Sequence, residues 1–196
     1  MADFRAITAV CEAVVYMLRT SYDPDVFNNE LEFLVYAAGD FVDPMEAGVS
    51  LFLYRIIPDG THRIPAGRLA PNGQRYQTRL PVNLHFLLTT WGKSASLQHT
   101  IAGWLMRTLE DTPILPLGLL NAVLPDVFQA DETVEICLAD LSNEDLLRIW
   151  EMLPQSIYRL SIPYVARCVR IESTQPLIKG DPVQERQFDY HTAARP

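Results

Sequence analysis

The chain has 196 residues, 48% hydrophobic and 20% charged, with a formal net charge of −8. That balance excludes a disordered chain, and a net-negative chain lacks the basic footprint of a general nucleic-acid binder. The length suits one domain, in which roughly 70% of the unfolded surface can be buried.

Phe4, Ile7, Cys11, Val14 and Leu18 recur in steps of three and four. The spacing predicts an amphipathic helix of about four to five turns, docked on a sheet. Arg5, Glu12 and Arg19 interrupt it, so it lacks the continuous apolar core of a signal peptide. No stretch reaches the roughly 20 apolar residues of a membrane span. Synthesis in the cytoplasm is the expectation. Residues 20–30 are turn-rich. Leu31 to Tyr36 and Gly48 to Ile57 then read as strands, the second apolar on both faces and hence central.

Pro58 to Arg79 is the longest irregular segment, with three prolines and three glycines. Loops of that length either function or stay mobile. Val82 to Trp91 reads as a strand ended by Gly92. Ser94 or Ser96 can cap a helix whose Leu97, Ile101, Trp104 and Leu105 share a face, closed at Thr112-Pro113. Pro116 to Leu124 predicts one or two helical turns, and Glu132 to Leu138 a strand. Ser142 is an N-cap with Asp145 in the capping-box position, ahead of Leu146, Ile149, Trp150 and Leu153 at helical spacing. Pro154 ends that helix. Tyr158 to Ile171 is aromatic and β-branched, as strands prefer. Pro163 within it implies a sheet edge or a bulge. The fold class expected is α+β (mixed α/β): a single domain, residues 1–172, with a partly antiparallel sheet flanked by helices, then an extended polar tail, residues 173–196.

The search for chemistry returns no catalytic constellation. There is no GxxxxGK[ST], GxGxxG or GxSxG, and His62, His85, His99 and His191 hold no metal-ligand spacing. His85 and His99 read as structural, and Glu110-Asp111 and Asp131-Glu132 as solvated pairs. Cys11, Cys137 and Cys168 form no CxxC pair and read as buried free thiols. No catalytic residue, cofactor or metal ligand is therefore expected.

Charge is unevenly spread. Residues 58–79 hold Arg63, Arg68, Arg75 and Arg79 against Asp59 alone, whereas residues 110–151 hold ten acidic residues against Arg148 alone. A basic loop projecting from an acidic protein is either solubilising or a docking element for an acidic surface.

VSLFLYRI (Val49 to Ile56), LPVNLHFLLTTWG (Leu80 to Gly92), LEDTPILP (Leu109 to Pro116) and YRLSIPYVARCVRI (Tyr158 to Ile171) occur in this order and spacing across most of residues 3–172. In that order the chain resembles the tail-terminator or cap proteins of phage-tail-like contractile injection systems, of the antifeeding-prophage and Photorhabdus-virulence-cassette type. The resemblance implies a structural protein and not an enzyme. It implies a homo-hexameric ring at the distal end of the inner tube that stops tube growth and anchors the last sheath layer. The partners implied are the inner-tube protein and the sheath protein, with no nucleic acid and no membrane span. The particle itself is either released or membrane-attached. By size, six copies of a chain with a radius of gyration of roughly 16 Å enclose an opening on the order of 40 Å. The residues alone also admit a neck or baseplate adaptor, or a small soluble enzyme or ligand-binding module.

The assembly contacts expected are Arg63, Arg68, Arg75 and Arg79 in the basic loop, and Phe188 and Tyr190 in the tail. The tail is too polar to fold alone, yet it carries sparse apolar anchors that could add a strand to a neighbour's sheet edge.

Overall fold

Three long stretches rich in β-branched and aromatic residues lie side by side at the centre of one sheet. The computed structural model describes residues 2–27, 31–61, 68–69, 73–154 and 157–177. Its elements run α1 (Ala6–Ser21), α2 (Pro24–Phe27), β1 (Glu32–Tyr36), β2 (Gly48–Pro58), β3 (Arg68–Leu69), β4 (Arg75–Tyr76), β5 (Leu80–Trp91), α3 (Ala95–Asp111), β6 (Ile114–Leu115), α4 (Leu117–Leu120), β7 (Val134–Leu138), α5 (Asn143–Met152) and β8 (Ser161–Ile171). A 3-10 turn occupies Ala38–Val42. The main sheet has the order β1-β2-β5-β8-β7-β6, and β3 pairs with β4 in a separate ribbon. β1 runs parallel to β2, and the other described ladders of the main sheet are antiparallel. The domain is thus mixed α+β with a partly antiparallel sheet.

Alternation divides the three central strands between two cores. On one face Val49, Leu51, Leu84, Phe86, Leu88, Tyr164 and Ala166 are buried together with α1, α3 and α4. Each such side chain contributes about 1.5–3 kcal/mol relative to exposure. On the other face Tyr36, Phe41, Met45, Trp91, Trp150 and Leu153 form a smaller aromatic cluster under α5. Phe41 meets Trp150 edge-on at 5.4 Å. The Trp91 indole donates to Ser50 Oγ at 2.8 Å, which gives each of those two atoms a partner.

Several expectations shift by local physics. The first helix begins at Ala6, and Phe4 stands outside it, 80% exposed. Asp3 intervenes: its carboxylate accepts from the Arg5 backbone N–H at 2.8 Å, and its carbonyl accepts from Ala6 N–H at 3.0 Å. The buried face of α1 is also wider than a single stripe, since Ala6, Ala9, Val10, Ala13, Val15 and Met17 join Cys11, Val14 and Leu18. Ser94, not Ser96, caps α3, accepting from Leu97 N–H at 3.2 Å. Ser142 caps α5 as expected, accepting from Asp145 N–H at 3.1 Å.

Pro163 lies in an interior strand, away from the bulges. It sits just past the last β7 ladder pair, Leu138 with Tyr164, and its carbonyl accepts from Ala139 N–H at 3.0 Å. The strand is interior there, but its β7 neighbour has run out, so no ladder donor is lost. The bulges fall elsewhere. β2 gains a residue between Leu53 and Arg55, and β8 gains one opposite Asn83, between Val82 and Leu84 of β5. Cys168 takes a positive φ of 56° at the second bulge, and its N–H donates to Asn83 Oδ1 at 2.8 Å. Bulges bend and twist the strands that carry them, and both lie towards the same end of the sheet. Cys11 is buried as expected, whereas Cys137 and Cys168 are half-buried.

Candidate assembly interface

Pro58 of β2, Leu80 of β5 and Ile171 of β8 meet at one end of the sheet, because Pro58 pairs with Val82 and Leu80 with Ile171. Everything expected to dock leaves the domain here. Asp59 begins the excursion. Its N–H donates to the Pro81 carbonyl at 2.8 Å, and its carboxylate accepts from Thr61 N–H at 2.9 Å. The segment read as irregular contains the antiparallel pair β3–β4, with Arg68 opposite Tyr76 and Leu69 opposite Arg75.

The chain after β8 returns to this pair. Gln77 N–H donates to the Gln175 carbonyl at 3.0 Å, and Leu177 N–H donates to the Arg75 carbonyl at 2.8 Å. Tyr76 and Pro176 form an antiparallel bridge between those bonds. The ribbon is therefore β3, β4, then residues 175–177. At its root Arg79 Nη2 meets Glu172 Oε1 at 2.8 Å, with the Glu172 side chain only 7% exposed. Glu172 N–H in turn donates to the Ala2 carbonyl at 2.8 Å, tying the first described residue to the same corner.

The expected contact residues fare differently. Arg75 is exposed on β4. Arg68 lies in β3 by its backbone. Arg79 pairs through Nη2 with Glu172 and so holds the root of the ribbon. Arg63, Phe188 and Tyr190 lie outside the described residues. Glu172 was missed by sequence reasoning. Its partner is 93 positions away, and an acid just past an apolar strand reads as solvated.

Acidic groups also gather beside β8, along the start of β7. Asp131, Glu132 and Glu135 line a cleft of about 320 Å³, facing Arg167 and Arg170. Some of these acids are locally engaged. Glu132 accepts from Gln129 N–H at 2.8 Å, and Arg167 lies 3.9 Å from Glu135. The carboxyls held below the usual range, Asp3, Glu46 and Asp111, owe this first to side-chain hydrogen bonds from Arg5, Lys93 and Arg107. These are ordinary surface pairs. Burial pushes the Cys11 thiol up to about 12, which makes it a poor nucleophile. Among the described residues no group of His, Cys, Asp and Glu could hold a metal ion, and no helix is long and apolar enough to cross a membrane.

The opposite sheet margin is guarded. Arg19 Nη2 donates to the Phe33 carbonyl at 2.6 Å, occupying a backbone acceptor of the edge strand β1. A charged side chain so placed blunts strand addition there.

Comparison with known proteins gives a consistent picture. The model of the Pvc16 N-terminal domain family matches residues 9–185. The fold is similar to the sheath/tube terminator of the PVC extracellular contractile injection system in its extended state, with a TM-score of 0.60 and 18% identity over 95% of this chain and 64% of that one. It is also similar to the tube-terminating cap of the anti-feeding prophage, AFP, with a TM-score of 0.61 and 17% identity over 92% of this chain and 60% of that one. The chain thus spans somewhat less than two thirds of the length of both structures. No curated protein sequence matches.

Proposed function

The chain belongs to the Pvc16 N-terminal domain family, and from that membership we propose that it is a structural terminator of a contractile injection particle. In this reading six copies form a ring at the distal end of the inner tube, stop its growth and hold the last sheath layer. The partners are the homo-hexamer itself, the inner-tube protein and the sheath protein. The role is non-catalytic, and the protein acts as a part of a phage-tail-like particle. The observation that carries the reading is the family match across residues 9–185, joined to a fold that is similar to both a sheath/tube terminator and a tube cap.

The corner ribbon supplies the means. It sets exposed Arg75 at one end of the sheet, while Asp131, Glu132 and Glu135 lie on the β6–β7 flank. A ring contact is heterologous, so a patch on one copy must meet a different patch on the next. Opposite charge on two such patches steers and registers the contact. In the same reading the tail beyond residue 177, with Phe188 and Tyr190, reaches the sheath or a neighbouring copy.

Native mass spectrometry and electron imaging of the chain, alone and with tube protein, test this. Six-membered rings on tube ends are expected. A strict monomer in both samples overturns the ring. Rings that bind tube bases or necks but leave distal ends growing favour an adaptor instead.

A further inference from the structure

The basic loop and the C-terminal tail look like two separate appendages in the sequence. In the fold they are hydrogen-bonded to each other. Two backbone bonds join β4 to residues 175–177, at 2.8 and 3.0 Å, and the bridge from Tyr76 to Pro176 lies between them. The Arg79–Glu172 pair then clamps the two roots 2.8 Å apart. From this arrangement we infer that β4 and Gln175–Leu177 are one docking element, assembled before any partner is met, which seats Arg75 on the acidic surface of a second copy of this chain. The inference rests on the ring reading for its partner, but not for the pairing itself.

Three features argue for it. First, residues alternate along a strand in the side to which their N–H and C=O point. Gln175 and Leu177 face β4, so Pro176 turns its nitrogen to the outer edge. Proline has no N–H to offer there, and such an edge is poor for strand addition. The ribbon therefore docks through side chains. Second, the cations of this ribbon are not equivalent. Arg79 is consumed at the root, whereas Arg75 is exposed on the strand that the tail holds in register. Third, charge selects the occupant. In a chain of net charge −8, Asp131, Glu132 and Glu135 stand together at the start of β7 and offer a second copy an acidic surface. The tail's first residues then act by positioning Arg75, whatever the residues beyond 177 touch.

Three variants of the full chain separate the possibilities: Leu177→Pro, which deletes the donor to Arg75; Arg75→Glu; and removal of residues 178–196. Amide exchange at Gln77 is read on the monomer, and ring formation is read by mass photometry across a salt series. Leu177→Pro should raise exchange at Gln77 by on the order of tenfold, the scale of losing one backbone pairing. It should also weaken self-association as much as Arg75→Glu does, with the same loss of salt sensitivity. Removal of 178–196 should leave Gln77 exchange unchanged and retain that salt sensitivity. Unchanged Gln77 exchange in Leu177→Pro overturns the single element. Self-association that survives Arg75→Glu overturns the assigned partner. An intact chain that never self-associates sinks the ring and the assigned partner together, while the exchange data still decide the pairing.

Discussion

Phe86 and Tyr76 lie ten positions apart on strands that follow each other directly, β5 and β4. Phe86 is fully buried, stacked on Tyr164 at 6.4 Å and flanked by Leu53 across the ladder. Tyr76 sits in a strand of two residues, held by backbone partners on either side and closed at the root by one ion pair. The sheet is specified by burial, so its register cannot slip without moving a whole apolar face. The ribbon is specified by a few directional bonds and charges. Changes in the sheet should therefore cost stability, and changes in the ribbon should alter association while the domain stays folded.

The largest effect should come from Phe86→Ala. Deleting that ring leaves a cavity between β5 and the helices and should destabilise by about 3–5 kcal/mol, read by urea unfolding. A loss below about 1 kcal/mol would erase the contrast between the two regions.

Gly48→Ala tests the sheet's backbone. Gly48 holds a φ of +144°, and a Cβ there would lie 1.9 Å from the Glu32 carbonyl oxygen. The parallel β1–β2 pairing begins at that contact, Glu32 opposite Gly48. About 3 kcal/mol of destabilisation is expected, with the loss of order centred on β1 in hydrogen exchange.

Glu172→Gln tests the ribbon root. The Arg79 pair is part-buried, so its loss should cost about 1–2 kcal/mol, between exposed and buried pairs. Exchange should rise at Gln77 and not in β5. A rise spread evenly over the sheet would mean that the root belongs to the core.

The smallest effect is a pH dependence. Burial, then the charge of Arg55, holds the His85 imidazole below its usual 6.5. The unfolded chain therefore takes up the proton first on acidification. Stability from this group is complete above 6.5 and falls away as pH drops towards the folded value. His85→Gln should flatten that part of the profile, measured as urea midpoints on either side of 6.5.

Much of the sheet was legible because burial writes a pattern. The alternation of β2, the aromatic run of β8 and the spacing of Ile101 and Leu105 in α3 each follow from which side faces the core. Caps were legible for the same local reason, as at Ser142. The rest lacked a local signal. β6 is two residues long, too short for a period. The ribbon pairs residues about 100 positions apart through backbone atoms that every sequence possesses. Cys168 at φ 56° depends on Asn83, 85 positions earlier, accepting its N–H. Of the expected interface, the concentration of arginine was visible, but which arginine was already spent, Arg79, was not.

A strand at the heart of the sheet, β8, is also the last made among the described strands. β5 ends at Trp91, and β8, which fills the place between β5 and β7, begins at Ser161. At about 5–20 residues per second, the flank of β5 that β8 will cover waits about 4–14 s during synthesis. A β2–β5 pair formed in that interval would have one unpaired, largely apolar margin, the kind of edge that recruits other chains. The helices made meanwhile can shield one face but cannot supply the missing ladder. A nascent chain stalled between Trp91 and Ser161 therefore presents a sticky edge, and its demand for chaperones should fall when β8 emerges, not when α5 does.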